Sequence, residues 1–222
     1  MRPSDYLDRL RRKYRAHGDV VLDDQEVLEL ILFRLKPRGD AKQAAQQLMD
    51  RFGTIEAVLN APIYLLEQTR GVGKSVAFDL KMIATTSQRA LKDKVRREPV
   101  LSSSRAVIDY CRAMMGCERR ELFRILFLGK HHALVGDEVH CHGSESFVSV
   151  YPREIVRRAL ELSASAIILV HNHPSGNLKP SSADIMMTQA ILMMTRPMGI
   201  ELHDHLIVSR NGHASMRALG LI

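Results

Sequence analysis

No tryptophan occurs in this chain, and aromatic residues make up only 5% of it. A hydrophobic interior must therefore be filled by Leu, Ile, Val, Ala and the eleven Met. Stacking of single-stranded nucleic acid on an aromatic platform is not indicated. Cysteine is also scarce. Cys111, Cys117 and Cys141 are odd in number and form no CxxC pair, which speaks against a disulfide framework or a Cys-rich zinc module. The first residues, Met1-Arg-Pro-Ser-Asp-Tyr6, contain no apolar leader core, and no apolar run is long enough to cross a bilayer. A cytoplasmic protein without membrane contact is expected.

What remains is an ordinary globular composition over 222 residues, with 45% hydrophobic and 26% charged residues, enough for two modest domains. The net charge of +7 favours anionic partners without demanding them. Residues 1–99 hold 19 Lys/Arg against 14 Asp/Glu, and residues 100–222 hold 13 against 11. Any electrostatic footprint thus lies mostly in the first half, where Arg9, Arg11, Arg12, Lys13 and Arg15 cluster.

Residues 1–92 read as a helical domain. Asp23/Asp24, Asp40 and Thr54 are start signals for apolar-periodic segments, with Pro37 and Gly53 as stops, and a longer helix is predicted from Lys74 to Leu91. Residues 93–103, charged and then bearing Pro and Ser, read as the linker. From residue 104 to 222 the pattern alternates. Helices are predicted over 105–115, 152–162 and 182–195, with strands over 121–128, 133–141, 164–170 and 200–208 and a hairpin turn at Asn211-Gly212. The expected fold class is α/β: an all-helical N-terminal domain followed by a domain with a mixed β-sheet flanked by helices.

The informative stretch runs from Leu169 to Asp184. Side chains alternate along a strand, so His171 and His173 project to one side where an apolar run gives way to a Pro/Gly loop. Asp184 falls in the first turn of the next helix and can point back at them. Two imidazoles and a carboxylate are a known ligand set for catalytic zinc, with a further position left for water. Each element also has a plainer use: Ser181 and Asp184 form a Ser-x-x-Asp capping box. HxH also recurs, at His140/His142 and His203/His205. The first of these pairs has no carboxylate at a useful distance and is not read as a metal site.

The ordered pattern His171-x-His173-x7-Ser181-x2-Asp184 resembles the JAMM (MPN-plus) metallopeptidase motif of deubiquitinating and related isopeptidases. The string His171-Asn-His-Pro-Ser-Gly176 resembles, more narrowly, the RadC family. Tyr151-Pro-Arg-Glu-Ile155, Gly199-Ile-Glu-Leu-His-Asp-His205 and the final Gly-Leu-Ile agree with it. The resemblance covers roughly residues 104–222 and extends to the helical first half. It implies a JAMM/MPN-like fold for the second domain, one Zn2+ per chain held by His171, His173 and Asp184, and a protein or peptide substrate. It also implies Ser181 as an oxyanion donor and an upstream Glu as general base and acid. Glu121 matches that position best, with Glu118 a near competitor. His205 is expected either to support a ligand from behind or to be a satisfied structural His. A DNA-repair label comes with the family as an association. Two alternatives stay open: a metal-dependent nuclease, and a non-catalytic DNA-associated adaptor.

In the first half, Leu66-Glu-Gln-Thr-Arg-Gly71-Val-Gly73-Lys74-Ser-Val-Ala77 resembles the helix-hairpin-helix DNA-backbone motif. Gly71 and Gly73 permit a tight turn whose N–H groups can meet a phosphate, and Lys74 adds charge. The resemblance implies a non-specific contact with the DNA backbone; the plainer alternative is a turn that joins two helices or docks protein. Thr69 stands where Ile or Leu is usual, which predicts a more loosely packed hairpin. Gly73-Lys74-Ser75 is not a P-loop, because the required Gly is replaced by Gln68, and no nucleotide cofactor is expected.

Overall fold

The computed structural model describes residues 3–36, 40–97, 104–142 and 151–222. The chain divides into two compact units, Met1–Thr86 and Ser87–Ile222. The expected helix stop at Pro37 lies outside the described residues.

The first unit is helical: α1 (Pro3–His17), α2 (Asp24–Leu35), α3 (Ala41–Phe52), α4 (Ile55–Asn60), α5 (Ile63–Glu67) and the beginning of α6 (Lys74–Arg97). The start signals act as capping chemistry predicts. Asp23 forms a reciprocal capping box with Glu26, Asp40 accepts from the Gln43 N–H, and Thr54 accepts from the Ala57 N–H. Apolar stripes on these helices then meet in one core built on Leu28, Leu32, Leu48, Leu66 and Leu80.

α6 corrects the expected domain boundary. It runs to Arg97, through the first five residues read as linker, and the division between units falls inside it at Thr86/Ser87. The physical reason is Val95, which is buried in the core of the second unit with Leu91 packed beside it. Asp93 and Lys94, two of the charges that suggested a linker, are exposed on the helix. Residues 98–103 of the expected linker lie outside the described residues.

The second unit is a mixed five-stranded sheet between helices. Its elements are α7 (Ser104–Met115), β1 (Leu122–Leu128), β2 (Leu134–His142), α8 (Pro152–Glu161), β3 (Ala166–Asn172), α9 (Ser182–Thr195), β4 (Glu201–Ser209) and β5 (Gly212–Ser215). The strand order is β2-β1-β3-β4-β5, with β3 and β4 parallel and the other pairs antiparallel. Leu126, Leu128, Ile168 and Val170 face α7 and the end of α6. Phe123, Ile125, Phe127, Ile167 and Leu169 face α8 and α9. With both faces covered, β3 is buried along its whole length, which explains its unbroken apolar run. The β4–β5 turn consists of Arg210-Asn211 with Gly212 already paired, one residue earlier than the expected Asn211-Gly212 turn. Among the described residues, no helix is long and apolar enough to cross a membrane.

One buried polar network braces the α7 side. The Asp137 side chain, 2% exposed, lies 2.5 Å from Arg124 Nη1 and 2.5 Å from Lys92 Nζ, and it accepts from the Tyr110 hydroxyl. Burial pushes the Asp137 carboxyl up, but Arg124, Lys92 and Tyr110 outweigh it and hold it below the usual carboxylate range. The folded value thus lies below the unfolded value of about 3.9. The stabilisation is complete above that unfolded value and is lost as pH falls through the folded one. Asp137→Ala leaves Arg124 buried without its counter-charge and is expected to cost about 3–5 kcal/mol in urea unfolding at neutral pH. The deficit relative to wild type should shrink on acidification; a pH-independent difference would show that the pairing contributes nothing.

Candidate metal centre

The site lies where β3 ends. Strand parity puts His171 on the α9 side with Ile167 and Leu169, and it is buried. His173 lies just past the strand, its N–H donating to the Val208 carbonyl at 3.0 Å. The chain then turns through Gly176, whose φ of +82° suits glycine and whose absent Cβ would stand 2.6 Å from Asn211 Nδ2. Ser181 caps α9, and Asp184 occupies the third helical position, so the helix start aims its carboxylate at the histidines.

The three side chains predicted as ligands come together. His171 Nε2 lies 2.9 Å from His173 Nε2, and the Asp184 oxygens lie 3.3 Å from His171 Nε2 and 3.6 Å from His173 Nε2. They form the one three-residue cluster of metal-binding type among the described residues. Their remaining atoms are committed elsewhere. His173 Nδ1 is 2.6 Å from the Asn177 carbonyl, which can only accept, so Nδ1 carries the proton and Nε2 presents a lone pair. His171 Nδ1 is engaged by His205 Nε2 at 2.8 Å. Asp184 Oδ2 accepts from the Ser181 N–H at 2.7 Å and the Ser181 hydroxyl at 2.6 Å. Two imidazole nitrogens and a carboxylate held this close call for positive charge among them, and their number and type suit a metal ion. The donor set therefore fits a divalent metal of borderline softness, with the two-histidine, one-carboxylate composition of catalytic zinc sites.

The carboxylate draws positive charge to this point, a proton or a metal ion alike. Burial pushes the Asp184 carboxyl up, but His171, His173 and Ser181 overcome this and hold it well below the usual range. The Asp184 contact raises the His173 imidazole above its ordinary value. Burial opposes this, while the Asn177 carbonyl and the charges of Asp184 and Glu121 add to it. Glu121 itself is exposed and stands one residue before β1.

Ser181 has its hydroxyl proton committed to Asp184 Oδ2, while its oxygen accepts from the Asp184 N–H at 3.1 Å. The capping box and the ligand orientation are one structure. Glu118 lies in the same loop as Glu121, and that loop has an anchor that sequence reasoning missed. Asn172, facing away from the metal ligands, accepts from the Leu122 N–H at 2.7 Å and donates to the Arg120 and Glu118 carbonyls at 3.0 and 3.3 Å. Its signal was a lone carboxamide at the end of an apolar strand, between two ligands. Thr188, one turn after Asp184, was missed as well; it is fully buried against His205.

Among the described residues, the other HxH pairs build no comparable site. His140 lines an open cleft with Glu138, Arg157, Arg158 and Glu161, while the side chain of His142 lies outside the described residues. In β4, strict alternation would put His203 and His205 on one face. A bulge separates them: Leu202 pairs with Ile167 and Asp204 with Ile168, leaving His203 as the extra residue. His205 is thereby turned to the His171 side and fully buried, whereas His203 sits 3.4 Å from Glu201.

Gly71, Gly73 and Lys74 fall at the α5–α6 turn of the first unit. Gly71 has φ +85° and an Ala44 Cβ at 3.2 Å from where its own would be, whereas a Cβ on Gly73 would meet open space. The expected looseness at Thr69 is corrected. The residue is 5% exposed, and its hydroxyl donates to the Leu65 carbonyl and accepts from Arg51 Nη1 at 3.0 Å. The turn follows a helix, whereas a P-loop follows a strand.

A family model described as the RadC-like JAB domain matches residues 101–221, more than half of the chain and every element from α7 to β5.

Proposed function

The chain belongs to the RadC family of JAB domains, within the metal-dependent hydrolase superfamily, and from this premise we propose that it is a zinc-dependent hydrolase of peptide or isopeptide amide bonds. The observation that carries the proposal is the convergence of His171 Nε2, His173 Nε2 and the Asp184 carboxylate, each with its other polar atoms already bonded. Zinc, when bound there, supplies Lewis acidity toward a carbonyl oxygen and acidifies water.

The chain's own groups supply the rest. Glu121 takes a proton from the attacking water and returns it to the leaving amine, with Asn172 holding its loop in place. Ser181 orients Asp184 and, once its hydroxyl turns toward substrate, donates to the oxyanion. We place the protein in the cytoplasm. Cys111 is buried and outside any disulfide, and burial pushes its thiol up to about 12.

The test is a screen of the zinc-loaded protein against fluorogenic peptides, isopeptide-linked pairs and labelled DNA. Amide cleavage supports the proposal. Phosphodiester cleavage alone would replace it with a nuclease, and metal uptake without turnover of any of the three would leave an adaptor.

For the helical unit we propose a non-specific contact between the α5–α6 turn and the DNA backbone, supported by the open space before Gly73 and by Lys74 beside it. Gly71→Glu is a poor probe because of its φ and the nearby Ala44, so Gly73→Glu is the informative variant. It is expected to weaken binding to random duplex about tenfold, and Lys74→Ala should lower the salt slope by about one. Unchanged affinity and slope in both would reduce the hairpin to a structural turn.

A further inference from the structure

We infer that Thr188 and His205 are positioning residues that hold His171 in its metal-binding tautomer, through a directed hydrogen-bond chain anchored on the backbone carbonyl of Asp184. The inference rests on the metal-centre assignment and adds a role for two residues that bind no metal themselves. Thr188 Oγ1 lies 2.6 Å from the Asp184 carbonyl oxygen and 2.6 Å from His205 Nδ1, and His205 Nε2 lies 2.8 Å from His171 Nδ1.

The direction of the chain follows from its end. A carbonyl oxygen cannot donate, and two oxygens at 2.6 Å without a proton between them repel, so the single Thr188 proton must point at Asp184. The Thr188 oxygen is then the acceptor for His205, which must carry its proton on Nδ1. That leaves His205 Nε2 as an acceptor, and only a proton on His171 Nδ1 can satisfy it. His171 Nε2 is consequently bare and faces His173 and Asp184. The competing contact from Thr188 to Met216 Sδ is long, at 3.7 Å, and thioether sulfur is a weak acceptor. The reversed chain would leave Thr188 and Asp184 oxygen to oxygen.

Burial protects this polarity from water. Thr188 and His205 are both fully buried, and Phe123 packs edge-on to the His205 ring at 5.8 Å. The β4 bulge supplies the parity that brings His205 here. The circuit also closes on itself. Asp184 holds the metal side with its carboxylate, and its carbonyl sets the tautomer of the histidine 3.3 Å from that carboxylate. Outer partners of this kind typically change metal affinity by about 10–100-fold when removed.

The experiment combines imidazole 15N shifts with zinc titration of wild type, Thr188→Val and Thr188→Ser. In wild type, His205 is expected to be protonated on Nδ1 and His171 on Nδ1, both with zinc and without it at about pH 8.5, above the ordinary imidazole range. Thr188→Val, which keeps the shape and removes the hydroxyl, should lose about 10–100-fold in zinc affinity. Thr188→Ser should restore it, which a merely structural role for the Thr methyl would not do. A proton on His205 Nε2 in wild type, or equal affinities of the Val and Ser variants, overturns the inference. If Thr188→Val fails to fold, the wild-type shifts decide the chain's direction alone. If wild type binds no zinc, the metal-centre assignment fails, while the metal-free shifts still decide the chain.

Discussion

Replacing Asp184 by alanine is expected to weaken zinc binding by more than about a hundredfold, beyond the loss typical of an outer partner, and to abolish hydrolysis with it. The carboxylate is one of three converging donors and the only one with a formal negative charge. The substitution also breaks the α9 capping box, since the Ser181 N–H and hydroxyl both donate to Asp184 Oδ2. That secondary loss is on the order of 0.5–2 kcal/mol of stability and must be separated from the metal effect. Asp184→Asn makes the separation, because it preserves shape and an accepting oxygen while removing the charge. A chelator-competition titration, with melting temperature followed as zinc is added, reads both: zinc should raise the melting temperature of wild type and neither variant's. Retention of wild-type affinity by Asp184→Ala would remove the carboxylate from the ligand set.

Glu121→Gln is expected to lower kcat by about 10²–10⁴-fold while zinc stoichiometry stays at wild-type level. Glutamine keeps the length and hydrogen-bonding capacity of the side chain but cannot take up the proton. Glu121 lies outside the three-ligand cluster, although its charge adds to the upward shift of His173, so the substitution removes the proposed base without removing one of the three donors. Glu118→Gln is the matched control from the same loop and is expected to stay near wild type. A large loss in Glu118→Gln with none in Glu121→Gln would transfer the base role to its neighbour. Loss of zinc from Glu121→Gln would instead make Glu121 part of the metal sphere.

The part of the site that was legible in the sequence is the part governed by period and local chemistry. Alternation along β3 put His171 on the face that α9 covers, and the Ser-x-x-Asp start of α9 aimed Asp184 back at it. What was hidden depends on contacts distant in sequence or on a break in periodicity. The β4 bulge at His203 changes which histidine faces the ligands, and nothing in Glu201–Ser209 announces the extra residue. Asn172 grips a loop some fifty residues earlier, a pairing that only strand register reveals. α6 outruns its expected end because a run of charges resembles a linker, whereas Val95 and Leu91 pack into the second unit's core. Thr69 was misjudged for a similar reason: its partner, Arg51, comes from α3.

Zinc K-edge absorption on the wild-type protein, loaded with one equivalent of zinc and washed, tests the central assignment most directly. The predicted result is one retained ion per chain, with only nitrogen and oxygen neighbours at about 2.0–2.2 Å and scattering from two imidazoles. Failure to retain stoichiometric zinc, or a sulfur neighbour at about 2.3 Å, would contradict a centre built from His171, His173 and Asp184.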